Sequence, residues 1–432
     1  MEMLSTLGKA WKIADIRKKM IFTVLMVIVF RLGSCIPIPG MNREIINRAF
    51  TGSGIFEVFN LFSGGSFQNF TIFALSITPY ITASIILNLL TIAIPYLENL
   101  SKEGTEGKKK IVQYTRYLTV ILAFLQAIGL TLGLFRQAVV DTSFFSITVI
   151  VFMLSAGTAF LMWLGEQINE YGVGNGISII IFAGIICRLP GGIANLYNNI
   201  GAGSISPFSV AVFAVFALIV IVGVILVQQG QRRIPVQYAK RVVGRKMYGG
   251  QNTHIPLKVN QAGVIPVIFS MSLLQFPLTI TYFAPNNSGL TNFINTWLSP
   301  SNLYSNSGGN PGVWIYSALN IILIMFFTYF YTSVTFNVVE VSDNMKNNGG
   351  FIPGIRPGRN TVEYLNRVLM RVTFVGAVFL ALISTLPILI GQFTNLNIHF
   401  GGTALLIVVG VALETMKQIE SQMVMRNYKG FL

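Results

Sequence analysis

Ten long apolar runs, almost free of charged residues, constrain this chain more than any other feature. They are residues 21–38, 71–95, 117–135, 144–165, 176–196, 207–229, 261–284, 313–339, 372–393 and 400–419. A helix needs about 20 mostly apolar residues to cross a bilayer core of about 30 Å. Only 10% of the chain is charged, against about 25% in a soluble domain. The pattern therefore predicts an all-α membrane protein with ten transmembrane helices.

The basic residues indicate how these spans are oriented. The chain has 30 Lys and Arg against 15 Asp and Glu, and Lys and Arg accumulate on the cytoplasmic side of membrane proteins. Most of them lie in the two termini and in the loops after the second, sixth and eighth runs. Both termini are therefore predicted to be cytoplasmic. Charged residues inside runs include Arg31, Arg188 and Glu414, each of which is expected to reach water from near a run end through its long side chain.

The ten runs divide into two halves, residues 1–200 and 201–432, with five runs each. An odd number of spans per half gives the halves opposite orientations, as in inverted repeats. The second and seventh runs both contain a proline, Pro79 and Pro266, and the fifth and tenth both have short apolar cores. Such interrupted or short segments at matching places point to the functional centre. Proline is also common in membrane helices generally, so a purely structural explanation stays open.

The sequence contains no recognisable catalytic motif. It lacks a Walker A motif, a HExxH motif, a paired cysteine set and a serine hydrolase elbow. The glycines of residues 172–176 predict a tight turn before the fifth span. Cys35 and Cys187 are interpreted as buried free thiols. No Asp, Glu or His lies in the middle of a span, which disfavours ion-coupled transport. We therefore expect neither an enzyme nor a bound metal or cofactor.

The segment before the second run is apolar but short. Residues 55–62 would extend about 12 Å as a helix, too little to cross a bilayer. We expect a short helix on the outer side, tethered by the flexible pair Gly64 and Gly65. An interfacial amphipathic helix and a movable lid over a pore both fit this pattern.

Two cytoplasmic loops, residues 230–260 and 340–371, are long and basic. Prolines and glycines in residues 353–358 predict a fixed, projecting tip that presents Arg356. The orientation rule alone explains many basic loops, but the length and shape of these two favour docking of an acidic protein surface or ribosomal RNA.

Several motifs, in order along essentially the whole chain, resemble those of the SecY family, the central subunit of the bacterial protein translocase. They are residues 30–34, 37–40, 60–65, 79–85, 162–166, 174–178, 230–233, 353–358 and 400–403. The resemblance implies a protein-conducting channel for unfolded secretory polypeptides, with two halves forming a clamshell around an hourglass pore. The main alternative from the residues alone is a secondary transporter of a small solute, which would require a polar site at the midplane.

The resemblance also implies roles for particular residues. A ring of isoleucines would close the pore at Ile77, Ile81, Ile177, Ile181, Ile268 and Ile407. A plug helix, residues 55–65, would include Ile55, Phe56, Val58, Phe59, Asn60, Leu61, Phe62, Gly64 and Gly65. A lateral gate, through which hydrophobic segments enter the lipid, would include Thr82, Ile85, Asn88, Gln126, Asn260 and Phe276.

The same resemblance implies partners. The basic loops would bind the motor ATPase SecA or a translating ribosome, through Arg232, Arg233, Lys240, Arg241, Arg245, Lys246, Arg356 and Arg359. Two small membrane subunits, SecE and SecG, would complete a complex in the bacterial cell membrane. Its substrates would be a signal sequence and the preprotein that follows it.

Polar gate residues should make the closed gate only moderately stable, so that a hydrophobic signal helix displaces it. Replacing Asn88 or Gln126 with Leu is therefore expected to change how strictly export depends on an intact signal sequence. Comparing export of preproteins with intact and defective signals measures this, and unchanged stringency in both variants would contradict the expectation.

Overall fold

Each of the ten apolar runs lies mostly on a helix of the computed structural model. The structure describes residues 8–46, 63–201, 207–238, 241–243, 246–248, 252–281, 289–298, 311–394 and 402–429. The helices that contain the runs are α1 (Ala14–Gly33), α2 (Thr78–Ala93), α4 (Thr105–Ile128), α5 (Phe144–Tyr171), α6 (Gly176–Gly201), α7 (Pro207–Gln229), α8 (Ile265–Thr281), α10 (Pro311–Thr335), α12 (Arg359–Thr394) and α13 (Gly402–Lys429). Shorter helices of the described residues, mostly outside the runs, include α3 (Pro95–Lys102), α9 (Gly289–Trp297) and α11 (Val338–Asn347).

Length and composition identify several of these helices as membrane spans. Within the described residues five qualify alone, Thr105–Leu134, Phe144–Tyr171, Gly176–Ala194, Gly312–Asn347 and Arg359–Leu386. The first of them includes a π-helical turn, Gly129–Leu134, that continues α4. The bent pair α2 and α3 makes a sixth, and Ala214–Gln229 and Ile265–Pro277 are shorter apolar helices. Their lipid-facing sides remain apolar and exposed, for example Val222 and Leu226 of α7.

The second run is only partly helical. The expected helix from residue 71 begins at Thr78, because residues 63–77 form turns with positive φ angles of 44° at Phe70 and 54° at Ser76. Pro79 lies in the first turn of α2, where its missing N–H costs nothing. Pro266 is likewise the second residue of α8. Both prolines therefore start helices rather than interrupt them, and the correspondence between the two runs persists.

α2 ends abruptly before a further proline. Ile94 is extended, as the residue before a proline prefers to be, and Pro95 starts α3. The two helices meet at 99°. α3 is therefore directed away from the course of α2.

The two basic loops fold together into one unit with strands, which the sequence did not predict. β1 (Gln231–Tyr238) pairs antiparallel with β4 (Asn252–Lys258) from Gln231↔Lys258 to Gln237↔Asn252. β5 (Gly350–Phe351), from the second loop, pairs with the other edge of β1. Two short strands, β2 (Arg241–Val243) and β3 (Lys246–Tyr248), pair with each other.

A small apolar core holds this two-loop unit against the membrane helices. It comprises Ile234, Val236, Leu257, Met345, Ile352, Leu365 and Leu369. The first three come from β1 and β4, and the last two from α12. The unit is therefore packed onto the start of a spanning helix.

The free thiols are more accessible than expected. Cys35 is exposed and Cys187 is half-buried, so the expectation that both are buried was wrong. Cys35 lies just after α1, where the chain leaves the helix in a turn and packs on one side only.

Close helix packing depends on glycine at particular positions. A Cβ on Gly157 of α5 would collide with the carbonyl oxygen of Ile72. Small residues allow such approach in membranes, where no hydrophobic force drives helices together. An ion pair also joins α4 to α5, with 2.8 Å between Arg116 Nε and Glu166 Oε1.

Replacing Gly157 with Ala is expected to lower the free energy of unfolding by about 1–3 kcal/mol, because the added methyl group overpacks the contact. Gly223 of α7 has no atom within 4 Å of a Cβ position, so Gly223→Ala is the matched control, with a neutral or up to ~1 kcal/mol stabilising effect. Thermal unfolding of the purified complex compares them, and equal effects of the two changes would contradict the packing argument.

Candidate functional site

The six isoleucines of the predicted ring are distributed over four helices that share one large apolar cluster. Ile77 and Ile81 are one turn apart at the start of α2, and Ile177 and Ile181 are one turn apart on α6. Ile268 lies on α8 and Ile407 on α13. Five of the six are at most 7% exposed and belong to one apolar cluster, against which the half-buried Ile177 packs. An apolar constriction of this kind excludes water and ions by dewetting.

The four helices meet in two pairs. α2 contacts α8, and α6 contacts α13, so each pair joins the first half of the chain to the second. α2 and α8 carry the second and seventh runs, and α6 and α13 carry the fifth and tenth. These are the runs that match between the two predicted halves. The isoleucines therefore lie where the two predicted halves meet.

The described end of the predicted plug, residues 63–65, is packed rather than loose. Residues 55–62, which carry Ile55, Phe56, Val58, Phe59, Asn60, Leu61 and Phe62, lie outside the described part of the chain. Gly64 has φ +63°, and a Cβ there would be 2.8 Å from the Cα of Gly184 in α6. Gly65, at φ +93°, has no atom within 4 Å of a Cβ position. Of the expected flexible pair, Gly64 thus packs closely against α6.

Arg31 also contacts the described end of the plug, at Gly64. Its Nη1 donates a hydrogen bond of 3.3 Å to the carbonyl oxygen of Gly64. Ser63 and Ser66 are both 1% exposed, and the Phe67 N–H donates to Ser63 Oγ at 3.1 Å. From the sequence, Arg31 was expected only to reach water, although an arginine inside an apolar run is itself a signal of function.

The predicted gate residues are placed unevenly. Thr82 and Ile85 are buried in α2, while Asn88 in α2 and Gln126 in α4 are half-buried. Phe276 of α8 is 43% exposed. The hydroxyl of Thr82 donates to its own helix at Thr78 O, 3.1 Å away.

Asn260 lies in the turn before α8 rather than in a gate helix. Its Nδ2 donates to Gly263 O at 2.9 Å. The Cα of Asn260 also lies 3.6 Å from a Cβ position on Gly376 of α12. The described contacts of Asn260 are therefore with the second half of the chain.

A buried polar network, which the sequence analysis missed, ties α8 to its neighbours in the second half. Ser270 Oγ donates to Asn320 Oδ1 at 2.7 Å, and Asn320 Nδ2 donates to Ser384 Oγ at 3.0 Å. The three residues lie on α8, α10 and α12 and are at most 4% exposed. Hydrogen bonds between helices strengthen association in a membrane. Because serine and asparagine occur throughout the runs, only the structure reveals which ones meet.

The predicted docking residues lie on or near the two-loop unit. Arg232 and Arg233 of β1 and Arg356 and Arg359 of the second loop are exposed. Arg241 and Lys246 belong to β2 and β3, and Lys240 and Arg245 lie outside the described residues.

The tip that presents Arg356 is fixed by its backbone. Gly354 has φ +82° and Gly358 has φ +104°, values that favour glycine. Thr361 Oγ1 donates to the carbonyl oxygen of Arg356 at 3.0 Å. The backbone therefore projects the guanidinium of Arg356 from a defined turn, as the sequence predicted.

The arrangement defines a multi-spanning helical membrane protein in which two sets of helices meet at a buried apolar cluster. A family model described as SecY matches residues 71–416. The protein translocase subunit SecY of Mycobacterium bovis is 47% identical over 456 residues, covering 100% of both chains. That of Halalkalibacterium halodurans is 47% identical over 441 residues, again covering 100% of both.

Solved structures share the fold at low sequence identity. The structure of a protein-conducting channel matches with TM-score 0.67 and 19% identity, covering 95% of this chain and 93% of the other. A SecY structure concerned with the plug domain, the closed state and the membrane seal matches with TM-score 0.66, 20% identity and the same coverage. Sec61 in a canine ribosome-channel complex gives TM-score 0.64 at 18% identity, with 95% and 93% covered.

The chain belongs to the SecY family of protein translocase subunits. It is a multi-pass membrane protein and a protein-conducting channel subunit, not a transporter of small solutes.

Proposed function

We propose that the six isoleucines close this channel at rest and yield around a passing polypeptide. The observation that carries the proposal is their convergence from four helices of two halves, residues 1–200 and 201–432, in one buried apolar cluster. Aliphatic side chains exclude ions without binding any particular sequence, which suits a channel for many unfolded preproteins. Both termini lie in the cytoplasm of a bacterial cell, and the channel spans the cell membrane.

The plug, residues 55–65, covers the outer side of this constriction. The contacts of Gly64 with Gly184 and with Arg31 support this role, because they fasten the end of the plug to α6 and α1. Displacement of the plug then requires these contacts to break.

The gate opens between α2 and α8, and it releases hydrophobic segments into the lipid. Thr82, Ile85, Asn88 and Gln126 line the first half of the gate, and Phe276 lines the second. The signal sequence enters here and takes over contacts that α2 and α8 make with each other.

The exposed arginines of the two-loop unit dock the partner that supplies energy. SecA and the ribosome are the two candidates, and the resemblance in fold to Sec61 of a ribosome-channel complex supports the ribosome. A cluster of guanidinium groups suits phosphate or carboxylate partners alike. SecE and SecG complete the membrane complex.

Arg356→Glu is expected to reduce ATP-dependent translocation about tenfold, which corresponds to about 1.4 kcal/mol of docking free energy. The complex with SecE and SecG is reconstituted in liposomes, SecA, ATP and a preprotein are added, and protease-protected preprotein is measured. Arg43→Glu is the matched control, because Arg43 is exposed on the predicted opposite side and undergoes the same change of charge.

Equal protection of the preprotein with both variants would support the channel but contradict the docking role of Arg356. No protection with a folded wild-type complex would refute the proposed set of partners.

Arg31→Leu is expected to raise the resting ion conductance several-fold, because the carbonyl oxygen of Gly64 loses its donor and the end of the plug loosens. Arg31→Lys retains a charged donor and should stay closer to wild type. Planar-bilayer recordings without preprotein measure the effect. A wild-type conductance in Arg31→Leu would show that this hydrogen bond does not hold the plug.

A further inference from the structure

The buried polar network of the second half holds α8 by the face opposite its ring residue. Ser270 on α8 bonds to Asn320 on α10, which in turn bonds to Ser384 on α12. Ile268 lies two residues before Ser270, and two residues correspond to a rotation of about 200° around a helix axis. Ser270 therefore lies nearly opposite Ile268 on α8. We call the three hydrogen-bonded residues the Asn320 network.

Apolar packing does not distinguish the faces of α8 near the ring. Residues 266–270 are all buried, and residues 263–271 contain a single polar side chain, that of Ser270. In a membrane, no hydrophobic force drives one apolar face rather than another against a neighbouring helix. A rotation of about 100° would therefore replace Ile268 in the ring with the residue on either side of it, at little cost in burial.

Close packing fixes where α8 begins. A Cβ on Gly376 of α12 would collide with the carbonyl oxygen of Val259, and a Cβ on Gly410 of α13 would lie 2.5 Å from Val264 Cγ1. Both contacts lie before the first residue of α8, so they place the start of the helix between α12 and α13. The hydrogen bond of Ser270 acts within the helix itself.

The chemistry of Asn320 suits it to hold the orientation of α8. Its amide accepts from Ser270 at 2.7 Å and donates to Ser384 at 3.0 Å, so both ends of the amide are used. The side chain is 4% exposed, and a buried amide without partners is costly. Rotation of α8 would break the bond to Ser270. A single buried asparagine fixes the register of coiled-coil helices in the same way.

Other buried hydroxyl groups of α10 bond within their own helix. Ser317, one turn before Asn320, donates to Val313 O at 2.8 Å. Thr328 donates to Ile324 O at 2.6 Å. Bonds of this kind do not join helices, so Ser317 provides a control for the loss of a buried serine hydroxyl.

The other ring helix of the second half, α13, is bonded farther from its ring residue. The N–H of Gly174, in the turn before α6, donates to Gln418 Oε1 of α13 at 2.8 Å. Gln418 lies about three helical turns from Ile407, whereas Ser270 lies about half a turn from Ile268. Of these two bonds, that of Ser270 is the one adjacent to a ring residue.

We propose that the Asn320 network sets the rotation of α8 around its own axis and thereby presents Ile268, rather than a neighbouring residue, to the ring. The three residues of the network are positioning residues. Loss of the network leaves α8 in place but lets it turn, so that the resting channel leaks ions. The proposal rests on the proposed role of the isoleucines in closing the channel at rest.

The first test separates orientation from stability. Ser270→Ala removes the donor to Asn320, and Ser317→Ala is the matched control. A triple variant, Ser270→Ala with Asn320→Leu and Ser384→Ala, removes the whole network and leaves none of its polar groups unpaired. Ile268→Ser is the reference for a defective ring. Resting ion conductance without preprotein and thermal unfolding are measured for each complex with SecE and SecG.

Ser270→Ala is expected to raise the resting conductance by roughly twofold to tenfold, the factor of one neutral hydrogen bond. Ser317→Ala should conduct as wild type does. The triple variant should unfold near the wild-type temperature and still leak, because its packing is retained but the orientation of α8 is not specified. A triple variant with wild-type conductance, or equal conductance of the two serine variants, would overturn the proposal.

The second test measures the rotation of α8 directly. Both native cysteines are replaced with serine, and single cysteines are then introduced as Val267→Cys, Ile268→Cys and Phe269→Cys. A water-soluble thiol reagent is added from the cytoplasmic side without preprotein, and the three rates of modification are compared. With the network intact, Ile268→Cys should react fastest because residue 268 is the one presented to the pore.

When Ser270→Ala is added, the three rates should become similar, since α8 then adopts several orientations. An unchanged order of rates would refute the role of the network in orientation. If Ile268→Ser conducts no more than wild type, the proposed closure of the channel by the isoleucines fails instead. The failure of the further inference and that of the proposed function are therefore distinguishable.

Discussion

The rest of this structure depends on the requirement that backbone N–H and C=O groups inside a bilayer find partners within the protein. Helices meet that requirement alone, which is why each of the ten apolar runs lies mostly on a helix. Residues 63–77 do not form a helix, and they are tolerated because they pack inside the protein. The Thr71 N–H donates to Ser66 O and the Ile72 N–H to Ile36 O. The backbone of this irregular segment is tolerated there because α1, α5 and α6 pack against it.

Closure and opening make opposite demands on the helices around the isoleucine cluster. An apolar cluster seals well but resists separation only in proportion to buried area. Directed hydrogen bonds are concentrated elsewhere, between α8, α10 and α12 and at the turn before α6. These bonds join three helices of the second half to one another and the turn before α6 to α13.

Periodicity and charge predicted the spans, their order and the tip at Arg356, because each of these follows from local sequence. The ring residues required the family resemblance, since isoleucine faces lipid as often as it faces a pore. The sheet escaped prediction because β1 and β4 are short, basic strands, and β5 has only two residues from a distant loop. The Asn320 network and the contact of Gly174 with Gln418 join residues 50 to 244 positions apart. No local pattern encodes such pairs.

The pairing of β1 with both β4 and β5 has a mechanical consequence. β1 begins two residues after the end of α7, and β4 ends a few residues before α8. The tip at Arg356 continues from β5, whose neighbour Ile352 packs into the same core as Leu365 of α12. A force applied at the tip is consequently not absorbed by slack loops. The sheet instead transmits such a force to the ends of three membrane helices, α7, α8 and α12.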